Sequence, residues 1–488
     1  MARMIIWLVV AATMLLFSHR QVGLAARPQG ARGALAVTQE RQKELSLTVY
    51  NQNLGLVKDT REIRMGIGAH EVRFMDVASQ IQPATVHLKP LAGPRGMEIL
   101  EQNYEYDLLN PQKLLEKYVG KKVKILDKNY YTGEERIVEA TLLSMNGGAV
   151  YAVYQIDGSI HLGHPGRVIL PEIPENLIAK PTLVWLLQSG VSSPQTVEAS
   201  YLTGGISWKA DYVFVLNSKD DRGALSGWVT IDNKSGAIYR NATLKLVAGD
   251  IHRAQGRKEI YGALDRAAKA PASEAAVRGF TEQGFFEYHL YTLQGKSTIK
   301  DNQTKQLSLL SAGDIPVQKQ LIYYGAQHYY RNRFGEPVSN QKVGVYLEVA
   351  NKKENRLGLP LPKGIVRVYK GDEGGSLQFV GEDWIDHTPK DEKVKIKMGE
   401  AFDVVGERIQ RDWRQIAWNV YEVEWEIKLR NHKKEDVQVQ VVEPVPADWD
   451  MLRSSHAYEK SEAHTLRFVV DVPKDREAKL NYRVRVKF

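Results

Sequence analysis

Through most of the chain, apolar and polar residues alternate with a period of two. In Tyr421–Arg430, Tyr421, Val423, Trp425, Ile427 and Leu429 fall on one face, and Glu422, Glu424, Glu426, Lys428 and Arg430 on the other. That pattern predicts an antiparallel strand with one buried face. Val437, Val439 and Val441 repeat it after the turn-like stretch from Asn431 to Asp436, so the two runs read as a hairpin. At the C-terminus, Tyr482, Val484, Val486 and Phe488 alternate with Arg483, Arg485 and Lys487. The glutamate face of the first strand and the basic face of the last are expected to be neighbours. Shorter runs of the same kind occur at Leu45–Val49, Glu71–Phe74, Tyr212–Leu216, Trp228–Ile231, Thr243–Val247, Val343–Val349 and Ile365–Tyr369, between Gly, Asn, Asp or Pro turns. The prediction is a mostly β chain of tandem antiparallel β-sandwich (Ig-like) domains.

One segment breaks the pattern. Asn110-Pro111 opens a predicted helix, Gln112–Tyr118, which Gly120 ends; strand-like runs follow at Val123–Leu126, Ile137–Ser144, Ala149–Gln155 and His161–Leu170. A short helix leading into four or five tight strands predicts a small SH3/Sm-like barrel, inserted at 104–172. The remaining boundaries follow: a first β-domain portion at 45–103, a β-sandwich at 173–252, a β-rich middle domain at 280–400 and a C-terminal β-sandwich at 401–488. Between them, 253–279 carries eight alanines and no strand pattern, which reads as a loop or linker.

At the N-terminus, Arg3 precedes a 14-residue apolar run, Met4–Phe17, followed by small residues. This is the layout of a secretory signal peptide, and the run is shorter than the roughly 20 residues a spanning helix needs. The expectation is a leader at 1–25, cut after Ala25 with Ala36 as the alternative, a flexible linker at 26–44, and export to the periplasm or beyond with no integral span. Cleavage lowers the formal charge from +8 to +6 or +4, since Arg3 and Arg20, then Arg27 and Arg32, are lost. Spread over the rest of the chain, that is an ordinary solubility charge rather than a nucleic-acid footprint. The chain has no cysteine, which excludes disulfides, thiolate metal sites and a thiol nucleophile. With 43% hydrophobic and 25% charged residues it has the composition of a folded globular protein.

Several separated motifs carry a resemblance. They are YLTGGISWKADYVF from Tyr201, GWVTIDNKSGAIYRNATLKLVAGDIHR from Gly227, FFEYHLYTL from Phe285, DNQTKQ from Asp301, LPLPKGIVRVY from Leu359, GEDWIDHTPKDE from Gly381 and AFDVVGER from Ala401. Over about Leu45–Phe488 the chain resembles exported bacterial proteins grouped as domain of unknown function 4139, which also resemble the C-terminal part of mucoidy-inhibitor-like proteins. The resemblance implies a β-sandwich-rich exported protein and brings no reaction, cofactor or catalytic residue.

Candidate chemistry is sparse. Glu382, Asp383, Asp386, His387, Asp391 and Glu392 crowd around Pro389. Such density suits calcium or an acid/base pair, but the spacing fits neither the EF-hand nor His-Glu-x-x-His, and turn capping by Asp386 and Thr388 explains it more simply. His161 and His164 supply two ligands, too few for a closed zinc site. There is no Gly-x-Ser-x-Gly elbow and no phosphate loop. The tryptophans default to core packing, with Trp413 and Trp418 singled out as a surface-forming turn, and the run Tyr323–Arg331 reads as an exposed aromatic-basic edge.

The reading that results is an exported, non-catalytic envelope protein binding another envelope protein or a glycan, with no cofactor, metal or catalytic residue assigned. Its candidate binding residues are Trp413, Trp418, Asp383, Asp386 and His387. The alternative is an envelope hydrolase or metal-dependent enzyme centred on Glu382–Glu392. Lysines around the insertion, among them Lys113, Lys117, Lys121 and Lys124, lack interleaved aromatics, which together with export argues against a nucleic-acid partner. An outer-membrane barrel suggested by the terminal Phe488 is disfavoured by the glutamates on Tyr421–Arg430.

Overall fold

The computed structural model describes residues 34–91, 96–105, 111–128, 132–145, 151–163, 166–172, 180–249, 251–252, 275–277 and 280–488. The apolar leader lies outside them, as does most of the alanine-rich stretch. Of that stretch, Ala275–Val277 forms a short strand paired with Phe280–Phe285. The fold is mostly β, in several predominantly antiparallel sheets. The short runs predicted for the sandwiches fall inside longer strands; Leu45–Val49, for example, lies within Gln42–Tyr50, where Leu45, Leu47 and Val49 are buried in alternation. Of the run expected at Ala149–Gln155, the described part is strand only from Val153, in Val153–Ile156. No helix among the described residues is long and apolar enough to cross a membrane.

The chain divides into two compact units. The first takes in Glu62–Met75 and Pro90–Thr196, with residues up to Arg41. It contains a four-stranded sheet and, after the helix Pro111–Tyr118, a five-stranded sheet. In the latter, the last strand, Arg167–Ile169, pairs with the first, Lys122–Lys128. The Tyr118 hydroxyl donates to the Glu172 carbonyl at 2.8 Å, so the two ends of the segment are held together. The single run expected at His161–Leu170 is two strands, Ser159–Leu162 and Arg167–Ile169; Gly163, at φ 76°, turns the chain between them. His164, the other half of the His161 pair, lies outside the described residues.

The second unit comprises Gln42–Arg61, Asp76–Lys89 and Val197–Phe488, with sheets of eight, five and nine strands. In the nine-stranded sheet, Val420–Asn431 pairs with Arg476–Lys487 in the register that sets Glu422 opposite Arg485 and Glu424 opposite Arg483. Arg485 Nη2 lies 2.6 Å from Glu422 and Arg483 Nη1 3.4 Å from Glu424, the expected charge ladder. The expected hairpin is not there. Val420–Asn431 lies between Lys393–Ala417 and Arg476–Lys487, whereas Val437–Pro444 lies between Gln318–Tyr324 and Thr465–Val472. Alternation states that each strand buries one face; it does not choose the neighbour. Here Val423, Trp425, Ile427 and Leu429 share one core with Val439, Val441, Leu466 and Phe468, so the link after Asn431 carries the chain across a sandwich.

Asn431 makes that crossing. Its buried Nδ2 donates to the carbonyls of Glu435 and Val472, and its Oδ1 accepts the Lys433 amide. Asn233 does the same with Ala237, Lys300 and Ser235, and Asn351 with Leu359, Pro389 and Gly358. Three strand ends are thus each clamped by one buried carboxamide that satisfies carbonyls left without a ladder partner.

At the centre of the C-terminal core lies a fully buried ion pair, Arg408 with Glu443. The rings of Tyr329, Trp425 and Tyr323 surround the guanidinium, with centroids 4.7, 5.2 and 5.6 Å away. The Tyr330 hydroxyl donates to Glu443 at 3.0 Å and sits 3.0 Å from that of Tyr482. Burial pushes both phenols well above their ordinary range, with the Glu443 charge adding to the effect, so they remain neutral. Of the run expected on an exposed edge, Tyr323, Tyr329 and Tyr330 are core residues, whereas Tyr324, His328 and Arg331 are exposed, Arg331 lying 4.5 Å from the Phe488 ring centroid.

A second electrostatic tie joins the five- and nine-stranded sheets. Asp220 accepts from Lys319 at 2.8 Å and from Lys370 at 2.5 Å. Burial alone would raise this carboxyl, but the two lysines outweigh it and hold it below the usual range.

Two outcomes follow. Arg408→Leu leaves Glu443 buried without its partner and is expected to cost about 3–5 kcal/mol in urea unfolding, with the Arg408→Leu/Glu443→Leu pair recovering part of it. Because Asp220 has a depressed folded pKa, its stabilisation is complete above the unfolded value of about 3.9 and is lost as pH falls through the folded value. Thermal melts of Asp220→Asn should therefore fall below those of the parent at pH 7 and converge with them towards pH 2–3.

Candidate functional site

A concavity near a predicted site residue forms where the nine-stranded sheet curls and its two edges approach. Those edges, Asp448–Ser454 and Tyr458–Glu462, stand at opposite ends of the strand order. The Trp449 indole N–H donates across the seam to the Ala463 carbonyl at 3.2 Å. The His464 ring nitrogen Nδ1 lies 2.9 Å from the Ala447 carbonyl oxygen, and Lys460 Nζ sits 4.9 Å from the Trp449 ring centroid. Beside these bridges opens a cavity of about 800 Å³ lined by Trp449, Ile416, Val420, Lys460 and Lys487. It combines an aromatic wall, aliphatic side chains and ammonium groups.

Ile416 and Val420 flank Trp418, which forms the tip of the turn joining Lys393–Ala417 to Val420–Asn431. The turn is fixed to the C-terminus: Asn419 Nδ2 donates to the Phe488 carbonyl at 3.0 Å and the Phe488 amide donates to the Asn419 carbonyl at 2.9 Å. A rigidly held tip leaves Trp418 85% exposed and Ile416 53% exposed. Trp413 behaves differently. It is half-buried against the core, stacked on Tyr421 at 5.5 Å, and its indole nitrogen is buried with no hydrogen-bond partner among the described residues. Of the two candidate tryptophans, Trp418 is the one presented to solvent.

The acidic stretch lies elsewhere. Asp383 is on Leu377–Ile385, an edge strand of the five-stranded sheet; its carboxylate accepts the amides of Trp384 at 2.9 Å and Lys397 at 2.7 Å. Asp386 accepts the His387 amide at 2.8 Å, the Thr388 hydroxyl donates to the Asp386 carbonyl, and His387 Nδ1 accepts the Lys363 amide at 3.2 Å. Glu382 is paired with Arg367 at 3.1 Å. The carboxylates therefore serve separate local partners, and no group of three or more His, Asp or Glu residues placed to hold a metal ion occurs among the described residues. From Lys397 to Trp413 the chain covers about 50 Å of strand at roughly 3.3 Å per residue, so Asp383 and Trp413 belong to different regions. Lys460 and Lys487 were not singled out by sequence, and Trp449 was read only as one of the tryptophans that default to core packing; the curl of the sheet brings the three together.

Since Asp383 binds two backbone amides, Asp383→Ala is expected to lower stability by about 1–3 kcal/mol, and millimolar calcium to leave the melting temperature of the parent unchanged. A calcium-dependent rise in that temperature would restore the metal reading.

Comparison with curated proteins found no match. The model of one family matches residues 197–488, which take in the seam cavity, Trp418 and the acidic stretch and begin where the last segment of the second unit begins. By that match the chain belongs to the family described as Domain of unknown function (DUF4139).

Proposed function

We propose that this chain is an exported, non-catalytic protein of the cell envelope that binds another envelope protein or a glycan through the seam cavity and the Trp418 tip. The observation that carries the reading is the exposed indole of Trp418, held rigidly beside a cavity whose wall includes a second tryptophan. Leaving so large an aromatic surface in water is costly, and a pre-ordered tryptophan loses little entropy when a partner covers it. An aromatic platform with nearby cationic and carboxylate groups suits a sugar ring or a peptide side chain equally well. The signal-like run Met4–Phe17 supports export, and the helix followed by five strands at 111–169 supports reading the insertion as an SH3/Sm-like barrel.

The test is in-cell photocrosslinking from position 418 of the full-length, affinity-tagged chain in its native host, with captured species identified by mass spectrometry and glycan analysis. One envelope protein or one glycan recovered repeatedly is the expected result. Trp418→Ala should weaken binding of that partner by about 2 kcal/mol, roughly thirtyfold, without changing the melting temperature. Binding that survives Trp418→Ala unchanged, or a tip that crosslinks to nothing in a folded, exported chain, would overturn the assignment.

A further inference from the structure

A second cavity, of about 600 Å³, lies where the five- and nine-stranded sheets meet around Asp220. It shares no lining residue with the seam cavity. Four ammonium groups line it, from Lys219, Lys319, Lys370 and Lys433, against the two carboxylates of Asp220 and Glu435. The charge is not neutralised locally. Asp220 takes one hydrogen bond from each of Lys319 and Lys370, which draws two like charges onto one carboxylate and leaves further N–H donors on both. Lys433 meets Glu435 only at 3.8 Å, and the Glu435 side chain is 73% exposed, an arrangement of little energetic worth.

The backbone holds these groups in place. Asp220 has φ 59° in the turn between Ile206–Leu216 and Arg222–Asn233, and the Val317 amide donates to the Asp221 carbonyl at 2.8 Å. Lys319 and Lys370 come from strands of the two different sheets, so the cation pair is fixed by tertiary structure and not by a flexible loop. Convergent ammonium groups that exceed the acids near them repel one another, and an anion placed among them converts that repulsion into attraction. The rest of the wall is mostly polar, with Leu321 and Val437 as its aliphatic members. Gln318 and Gln440 offer carboxamides of the kind that bind hydroxyls, and the lining contains no aromatic ring.

We propose that this cavity binds an oxyanion carried on a sugar, a phosphate or carboxylate group held by Lys219, Lys319, Lys370 and Lys433 with the sugar hydroxyls on the glutamines. Occupancy ties the two sheets together across Asp220. Lys219 and Lys433 are the residues to change, because neither hydrogen-bonds Asp220 and the tie is left intact.

The experiment is isothermal titration calorimetry of the full chain with four probes at low salt: inorganic phosphate, glucose 6-phosphate, glucuronate and glucose. The expected result is saturable binding of at least one sugar acid, at least tenfold tighter than glucose, weakened by added sodium chloride. Preference between glucose 6-phosphate and glucuronate identifies the anionic group. Lys219→Ala/Lys433→Ala should reduce that affinity at least tenfold while the melting temperature stays within a degree of the parent. No saturable binding of either sugar acid at millimolar concentration overturns the proposal. So does binding that the double variant leaves unchanged, or phosphate binding equal to that of glucose 6-phosphate, which marks an adventitious ion only.

Discussion

The C-terminal sandwich is organised around a charge it has no room to hydrate. Arg408 enters the core from the long strand Lys393–Ala417 and Glu443 from Val437–Pro444, two strands that are not neighbours in the sheet. A buried guanidinium is costly unless its carboxylate, donors and flat faces find partners, and here Glu443 and Tyr482 take the two terminal nitrogens and three aromatic rings surround the group, while Arg408 Nε has no hydrogen-bond partner among the described residues. The requirement reaches outward. Gly325 and Gly406 have no space for a Cβ, because Glu443 fills it at the first and the Tyr323 ring at the second. The pair adds little net stability compared with an apolar core of equal volume. What it adds is register, since a slip of one residue in either strand would move a charge to the wrong face.

The same device recurs near the start of the second unit, where Arg61 and Asp59 form a buried pair at 2.6 Å and Gln42 donates to the same carboxylate. Together with the clamps at Asn233, Asn351 and Asn431, these groups show how a cysteine-free chain specifies crossings between sheets. Covalent cross-links are replaced by buried polar side chains, some of whose partners lie far away in sequence, as with Arg408 and Glu443, Asn233 and Lys300, and Asn431 and Val472. Each is costly if left unsatisfied, so each rejects alternative pairings.

This explains which parts of the fold were legible. Strands were readable because burial of one face writes itself into the chain with period two, and the Glu422–Arg485 and Glu424–Arg483 ladder was readable because a run of glutamates begins one outer face and a run of basic residues ends the other. The helix at Pro111–Tyr118 was marked by its proline and by Gly120. Neighbours were not readable. Asn431 looks like a turn residue whether it closes a hairpin or starts a crossing, and its buried carboxamide bonds go to residues as far off as Val472. The tyrosines at 323, 329 and 330 looked like an exposed edge because the cation that draws them inward lies some eighty residues later, at Arg408. For the site, Trp413 and Trp418 were found as a pair by composition. Their separation into a core residue and a surface residue depends on the turn geometry set by Asn419 and Phe488.

The exposed Trp418 also follows from the way the sheet ends. A nine-stranded sheet twisted around one core must finish in two edges, and open edges invite pairing with other chains. This sheet brings its edges together and bridges them through Trp449, Lys460 and His464 instead of completing a ladder. Side-chain bridges leave a gap where a ladder would leave none, and that gap is the seam cavity. The turn bearing Trp418 is stapled to Phe488, the residue that follows the strand Arg476–Lys487 lining the same gap. An aromatic tip and a concave surface therefore arise from one solution to the edge problem.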